Sequence, residues 1–371
     1  MTFNDVIGQS SVKARLQHMT ATGQVPHAML FTGPEGCGKM PLAMAFACHL
    51  LEQGPRAEQG KAMIQKMQHP DLHFTYPTIK RSKFNAAYAP ISEDFAAEWR
   101  QMMEGGPYFT ATQWIDTIKE GQKKAVITVA ESNSLNRKLS LLSSQGGYKV
   151  SIIWLPELMN IDCANKMLKL LEEPPSQTVF LLVSEEPERL LETIRSRCQE
   201  IRLRRLADAD IAQALVSERH IDKEQAQRIA HIAAGSWTRA LQMLVDDAES
   251  NEHLEAFKQL MRLAYSRRLT ELKAWAEEQK ALSRDALDAR LKYFLRLTRE
   301  SFVHNFQRPQ LNYLTPQEHD FVSRFAPFIN ERNIIGIAKL FETCRTHIAQ
   351  NTNTHIVCFD MAMRVIMLLR K

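Results

Sequence analysis

Residues 33–40 read Gly33-Pro34-Glu35-Gly36-Cys37-Gly38-Lys39-Met40 and follow the apolar run Ala28–Thr32 directly. This Gly-x-x-x-x-Gly-Lys spacing, set between a strand and a helix, constrains the fold more than any other feature of the chain. The glycines let backbone N–H groups turn inward around a phosphate, the following helix offers its positive end, and Lys39 can reach the outer phosphates. Gly33, Gly36, Gly38 and Lys39 are therefore the candidate nucleotide contacts. The Ser or Thr that should close the pattern is replaced by Met40, and a thioether is a poor ligand for a cation as hard as Mg²⁺.

A phosphate loop of this kind needs a parallel sheet behind it, and the first 206 residues carry one. Further strands are expected at Lys149–Trp154, Gln177–Val183 and Glu200–Leu203, in runs of Val, Ile, Leu and Phe with little alternation, as strands covered on both faces should be. Between them Ile161, Ala164, Leu168 and Leu171 share a helical face that Pro174-Pro175 ends. From Ala207 on, helical periodicity dominates. The expected organisation is an α/β domain over 1–206, a small helical lid over 207–247 and a helical domain over 248–371, with the last boundary at the acidic pair Asp246-Asp247.

Composition removes several classes. With 44% hydrophobic and 24% charged residues among 371, the chain reads as a globular protein. Its start has no apolar run, and its longest apolar strings are too short to span a bilayer, so a cytoplasmic location is expected. Six cysteines without paired spacing suit reduced thiols. A net charge of +5 permits contact with nucleic acid without arguing for it.

A second gap agrees with the first. The strand at Lys149-Val150-Ser151-Ile152-Ile153 should end in two acids, one for the metal and one for water, yet it continues Trp154-Leu155-Pro156-Glu157. Glu157 stands beyond the strand end behind a proline and reads as a solvated loop acid. Residues 76–114, within an insertion at about 76–124, hold eight of the chain's 29 Phe, Trp and Tyr residues. They are expected to close on a small core of their own, the alternative being a partner or base-stacking surface. Asn136-Arg137-Lys138 is a solvated charge run or a phosphate contact, with Arg137 and Lys138 the DNA-binding candidates.

Six segments in order resemble the AAA+ subunits of clamp loaders: Phe3–Gln9, Pro26–Gly33, the strand at Lys149, Ala164–Pro175 with Leu171-Glu172-Glu173-Pro174-Pro175, Thr193–Cys198 with Ser196-Arg197-Cys198, and Gly235–Leu241. The resemblance covers most of the chain. It implies a RecA-like P-loop α/β sheet, a helical lid and an all-α collar that holds subunits in an open ring. A degenerate phosphate loop beside an intact Ser-Arg-Cys is the pattern of the family's delta-prime branch in bacterial DNA polymerase III, whose members do not hydrolyse ATP themselves. Arg197 is then the arginine finger for a neighbouring ATPase, and Arg239 a nucleotide sensor with little to sense. The implied partners are ATPase subunits of gamma/tau type, a delta subunit, the sliding clamp and primer-template DNA, with no membrane. No cofactor is required, and ATP binding by this chain stays open. The family's four-cysteine module is reduced here to Cys48, so no zinc is expected. An autonomous ATPase acting on DNA and a pure scaffold of the ring are the alternatives.

Overall fold

The computed structural model describes residues 1–369 apart from positions 67, 86, 122, 145, 245–247 and 351. The chain divides into two compact units, Met1–Leu241 and Gln242–Lys371. The acidic pair Asp246-Asp247, expected to mark a boundary, lies outside the described residues.

In the first unit, β1 (Ala28–Thr32), β2 (Leu72–Thr75), β3 (Lys149–Trp154), β4 (Thr178–Val183) and β5 (Gln199–Arg202) form one parallel sheet in the order β2-β3-β4-β1-β5. Four of these are the apolar runs read from the sequence. The unexpected one is β2, four residues at the sheet edge with a half-buried pattern, too short and too polar to stand out. β1, β3 and β4 are buried at every position. Parallel strands need crossover connections, and helices supply them. α1 (Ser10–Ala21) precedes β1, and the crossover helices are α2 (Lys39–Leu51), α3 (Ala57–Gln65), α4 (Ala96–Glu104), α5 (Ala111–Ile118), α6 (Val129–Leu139), α7 (Ile161–Glu172) and α8 (Glu192–Arg195). After β5 come α9 (Asp208–Arg219), α10 (Lys223–Ala233) and α11 (Trp237–Gln242).

Two expectations need correction here. On α7 the buried stripe is Cys163, Ala164, Met167, Leu170 and Leu171, while Ile161 is 73% exposed. Asn160 caps this helix by accepting the Cys163 amide at 2.8 Å, so Ile161 stands in the first turn and faces solvent. The aromatic insertion, in turn, does not close on a core of its own. Tyr76 stacks on Trp99 at 4.1 Å and meets Trp114 edge-on at 4.9 Å, but Trp99 and Phe109 pack onto Trp154 of β3 at 5.6 and 4.9 Å. The insertion is thus continuous with the sheet's main core. Glu131 of α6 fastens it by accepting from the Ser92 amide at 2.6 Å and the Thr75 hydroxyl at 3.2 Å. Burial pushes that carboxyl up, against the pull of its hydrogen bonds.

The second unit consists of α12 (Ala248–Tyr265), α13 (Leu269–Gln279), α14 (Arg284–His304), α15 (Pro316–Phe325), α16 (Ile334–Ala349) and α17 (Thr354–Leu368), around Phe257, Trp275, Phe294 and Phe341. No helix among the described residues is long and apolar enough to cross a membrane. Inside this bundle Arg290 of α14 is 5% exposed. Its guanidinium pairs with Glu252, donates to Gln279 Oε1 at 2.6 Å and donates from Nε to His253 Nδ1 at 3.3 Å, joining three helices.

That last bond needs a neutral imidazole. Burial pushes His253 down to about 4, the Arg290 charge acts the same way, and Glu252 opposes it. A histidine with a lowered native pKa contributes stability that is present above its unfolded value and lost as pH falls toward the native one. The chain should therefore lose stability between pH 6.5 and 5, and His253→Gln should flatten the loss by about 1–2 kcal/mol. Denaturant midpoints at the two pH values measure this, and an unchanged slope in the variant counts against it.

Candidate functional site

The phosphate loop leaves the C-terminal end of β1 and enters α2, with Gly33, Gly36 and Gly38 at φ of 145°, 74° and 95°. At Gly33 and Gly36 side chains are excluded for space as well as conformation. A Cβ on Gly33 would stand 2.8 Å from the Leu203 carbonyl, and one on Gly36 would collide with the hydroxyls of Ser236 and Thr238.

Lys39 opens α2 and is 3% exposed. Its ammonium donates to the carbonyls of Gly33 and Pro34 at 2.7 and 2.8 Å, and to Glu185 Oε2 at 2.8 Å. An ammonium has three protons, so this set uses all of them. Glu185 follows the end of β4, the neighbour of β1 in the sheet, and so stands beside the loop. Burial pushes its carboxyl up to about 7, while Lys39 holds it down and Glu35 and Glu157 add to the upward push.

The rest of the loop is also covered by its own chain. The Gly36 carbonyl accepts the Trp237 amide at 2.9 Å, which docks the first turn of α11 on the loop. Arg239, two residues along, is half-buried. On the other side Tyr108 lies over Gly38, its hydroxyl 3.4 Å from where a Cβ would stand. That hydroxyl also accepts the Ile7 amide at 2.9 Å, and burial pushes the phenol up. Gln9 donates to the carbonyls of Cys37 and Arg204 at 3.0 and 2.6 Å, tying the loop to the N-terminal segment.

On the metal side, Met40 is buried in the main core. Trp154 is 2% exposed between Phe109 and Trp99, so the end of β3 is built as hydrophobic core. Leu155 is equally buried and adopts the left-handed conformation at φ 55°. Glu157 is not the solvated acid expected. It is half-buried and accepts from the Ser184 hydroxyl at 2.9 Å and from the amides of Glu185 and Glu186 at 2.9 and 3.1 Å. Its task is to hold the turn that carries Glu185.

The remaining candidates lie apart. Arg197, just after α8, pairs with Glu172 at the end of α7 and donates to the Thr193 carbonyl at 2.8 Å, with 36% of its side chain exposed. Arg137 is exposed on α6, whereas Lys138 pairs with Glu93 at 2.6 Å. The sequence reading missed Glu185, Tyr108 and Glu172. A carboxylate directly after a buried strand beside β1 was the available signal for Glu185; none existed for Tyr108, which meets its partners across more than 69 residues of chain.

The family described as "DNA polymerase III, delta subunit" matches residues 8–207, more than half of the chain. DNA polymerase III subunit tau of Bacillus subtilis (strain 168) is 28% identical over 253 residues, covering 65% of this chain and 37% of that protein. Subunit delta' of Pseudomonas aeruginosa is 31% identical over 195 residues, covering 51% and 44%, and subunit delta' of B. subtilis is 27% identical over 234 residues, covering 60% and 56%. The chain thus spans between 37% and 56% of the length of these relatives. Among solved structures, a DNA polymerase III gamma subunit-related protein from Thermotoga maritima aligns over 96% of this chain and 99% of its own, at 13% identity and a TM-score of 0.41.

The packing of Trp154 makes a direct prediction. Trp154→Asp, the change toward the acid expected at this strand end, removes a large side chain from the core and buries a carboxylate without a cation. It should destabilise the chain by about 4 kcal/mol or more. Trp154→Phe should cost far less. Urea midpoints of the two variants decide the point, and equal midpoints would mean that the β3 end is not core.

Proposed function

The chain belongs to the DNA polymerase III delta subunit family, and from that premise we propose that it is a delta-prime-type subunit of the clamp loader, which does not hydrolyse ATP and lends Arg197 to the ATP site of a neighbouring subunit. The observation that carries this reading is Trp154, an indole packed in aromatic core where a magnesium-binding carboxylate is needed. Met40 agrees with it from the other side of the loop. A site without either ligand has no first-shell hold on the metal of phosphoryl transfer.

Arg197 suits the second half of the proposal. A guanidinium stays charged, its fork matches phosphate oxygens, and it stabilises charge that develops during transfer. Its pairing with Glu172 favours the competing reading, a scaffold without catalytic contribution. The pair is half-exposed, however, and such pairs contribute about 0–1 kcal/mol, so a phosphate can displace it. In this reading the helices after residue 242 join the ring, the ATPase partners are of gamma/tau type beside a delta subunit, and the assembly places the sliding clamp on primer-template DNA in the cytoplasm. Arg137 and Lys138 are the DNA contacts of this reading, and the Lys138–Glu93 pair is as open to displacement by a phosphate as that of Arg197. Arg239 has at most a residual sensing role, and neither zinc nor another cofactor is required.

The isolated chain should show no ATP turnover above background. In the reconstituted complex, Arg197→Ala should leave assembly intact and lower the clamp- and DNA-stimulated ATPase and the loading rate. Removing a finger costs about 10³ to 10⁵ at the site that depends on it, and the whole ring should lose that site's share. Arg197→Lys should rescue little, since a point charge lacks the fork. Turnover by the chain alone would overturn the non-hydrolysing assignment, and unchanged ATPase and loading in the Arg197→Ala complex would leave the protein a scaffold.

A further inference from the structure

We propose that Tyr108 and Glu185 are built-in occupants of the phosphate loop, keeping it shut to nucleotide whenever the chain is folded. The inference rests on reading residues 33–40 as a phosphate loop and is independent of the role given to Arg197.

A phosphate loop binds through a lysine with protons to give and through a cradle open to the ligand. Lys39 has neither a free proton nor an open approach. Two of its three hydrogen bonds fold it back onto the Gly33 and Pro34 carbonyls of its own loop, and the third goes to the Glu185 carboxylate. A buried ammonium without a counter-charge is costly, so Glu185 supplies the negative charge that a phosphate would otherwise bring. Its position is itself secured, because Glu157 accepts from the Glu185 amide at 2.9 Å and from the Ser184 hydroxyl before it.

Tyr108 closes the approach. It lies against Gly38, meets Trp237 edge-on at 6.2 Å, and its hydroxyl takes the Ile7 amide. The segment that carries it is anchored by the two residues that follow. Phe109 packs on Trp154 at 4.9 Å, and Thr110 forms a capping box with Gln113, the two hydrogen bonds measuring 2.8 and 3.2 Å. Consecutive residues of the insertion therefore cover the two degenerate halves of the site, Tyr108 the phosphate cradle and Phe109 the end of β3. A single inserted turn does both, which explains why the insertion is aromatic at these positions.

The test is ATP binding to the full chain, followed by calorimetry in EDTA, because the site has no hold on magnesium. Wild type should show no saturable binding at about 1 mM ATP, and Tyr108→Phe should behave the same. The double variant Tyr108→Ala with Glu185→Gln should bind ATP at least about tenfold more tightly than wild type. Glu185→Gln alone keeps size and shape and should give a smaller gain, and it serves as the reference if the alanine variant does not fold. Near-UV circular dichroism reports the fold of each variant. Saturable binding by the wild type overturns the proposal, as does a folded Glu185→Gln or double variant with no gain. Neither result touches the Arg197 comparison, so the two proposals fail separately.

Discussion

The packing of Trp154 between Trp99 and Phe109 is the interaction on which the first unit depends. β3 lies inside the sheet with neighbours on both edges, and its C-terminal end would ordinarily face the open crevice above a parallel sheet, where polar groups and ligands gather. An indole there needs an apolar cover. The insertion supplies it, and the cover extends through Tyr76 and Trp114 into the main core. Trp154 and the aromatic segment are thus one packing unit. Neither is stable without the other: bare, Trp154 would leave a large apolar face in water, and without Trp154 the insertion's rings would cover a void.

Buried cations follow a common rule throughout the chain. Lys39 spends its protons on two carbonyls and a carboxylate. Lys149 closes the end of α6 by donating to the Leu139 and Leu141 carbonyls. Arg290 joins Glu252, His253 and Gln279 in the helical unit. In each case a charge removed from water is satisfied by several oriented acceptors, which makes the arrangement rigid and selective rather than strongly stabilising. The phosphate-loop lysine has been drawn into the same structural use.

Much of the fold was legible because it rests on local pattern. The four apolar runs became strands within one or two residues of their expected limits, and the glycine spacing placed the loop between β1 and α2. The misreadings share a cause. β2 is too short to show periodicity, a cap at Asn160 leaves Ile161 exposed in the first turn of α7, and Glu157 found the amides of Glu185 and Glu186, 28 and 29 residues away and just past β4. In each, the outcome rests on something other than hydrophobic pattern: strand length, a local cap, or amides far along the chain.

By itself the sequence determined that a glycine-rich loop would join a strand to a helix in a parallel sheet and that Met40 and Trp154 would stand at its margin, since strand runs and positive-φ glycines are properties of neighbouring residues. It did not determine which side chains would pack around the loop and the end of β3. Only the tertiary structure decided that Glu185 would neutralise Lys39, that Tyr108 would lie on Gly38, and that Trp154 would become core. The physical reason is that burial and ionic pairing depend on which groups the folded chain brings within a few ångströms. Those groups come from β4, the insertion and β3, segments that no local pattern connects.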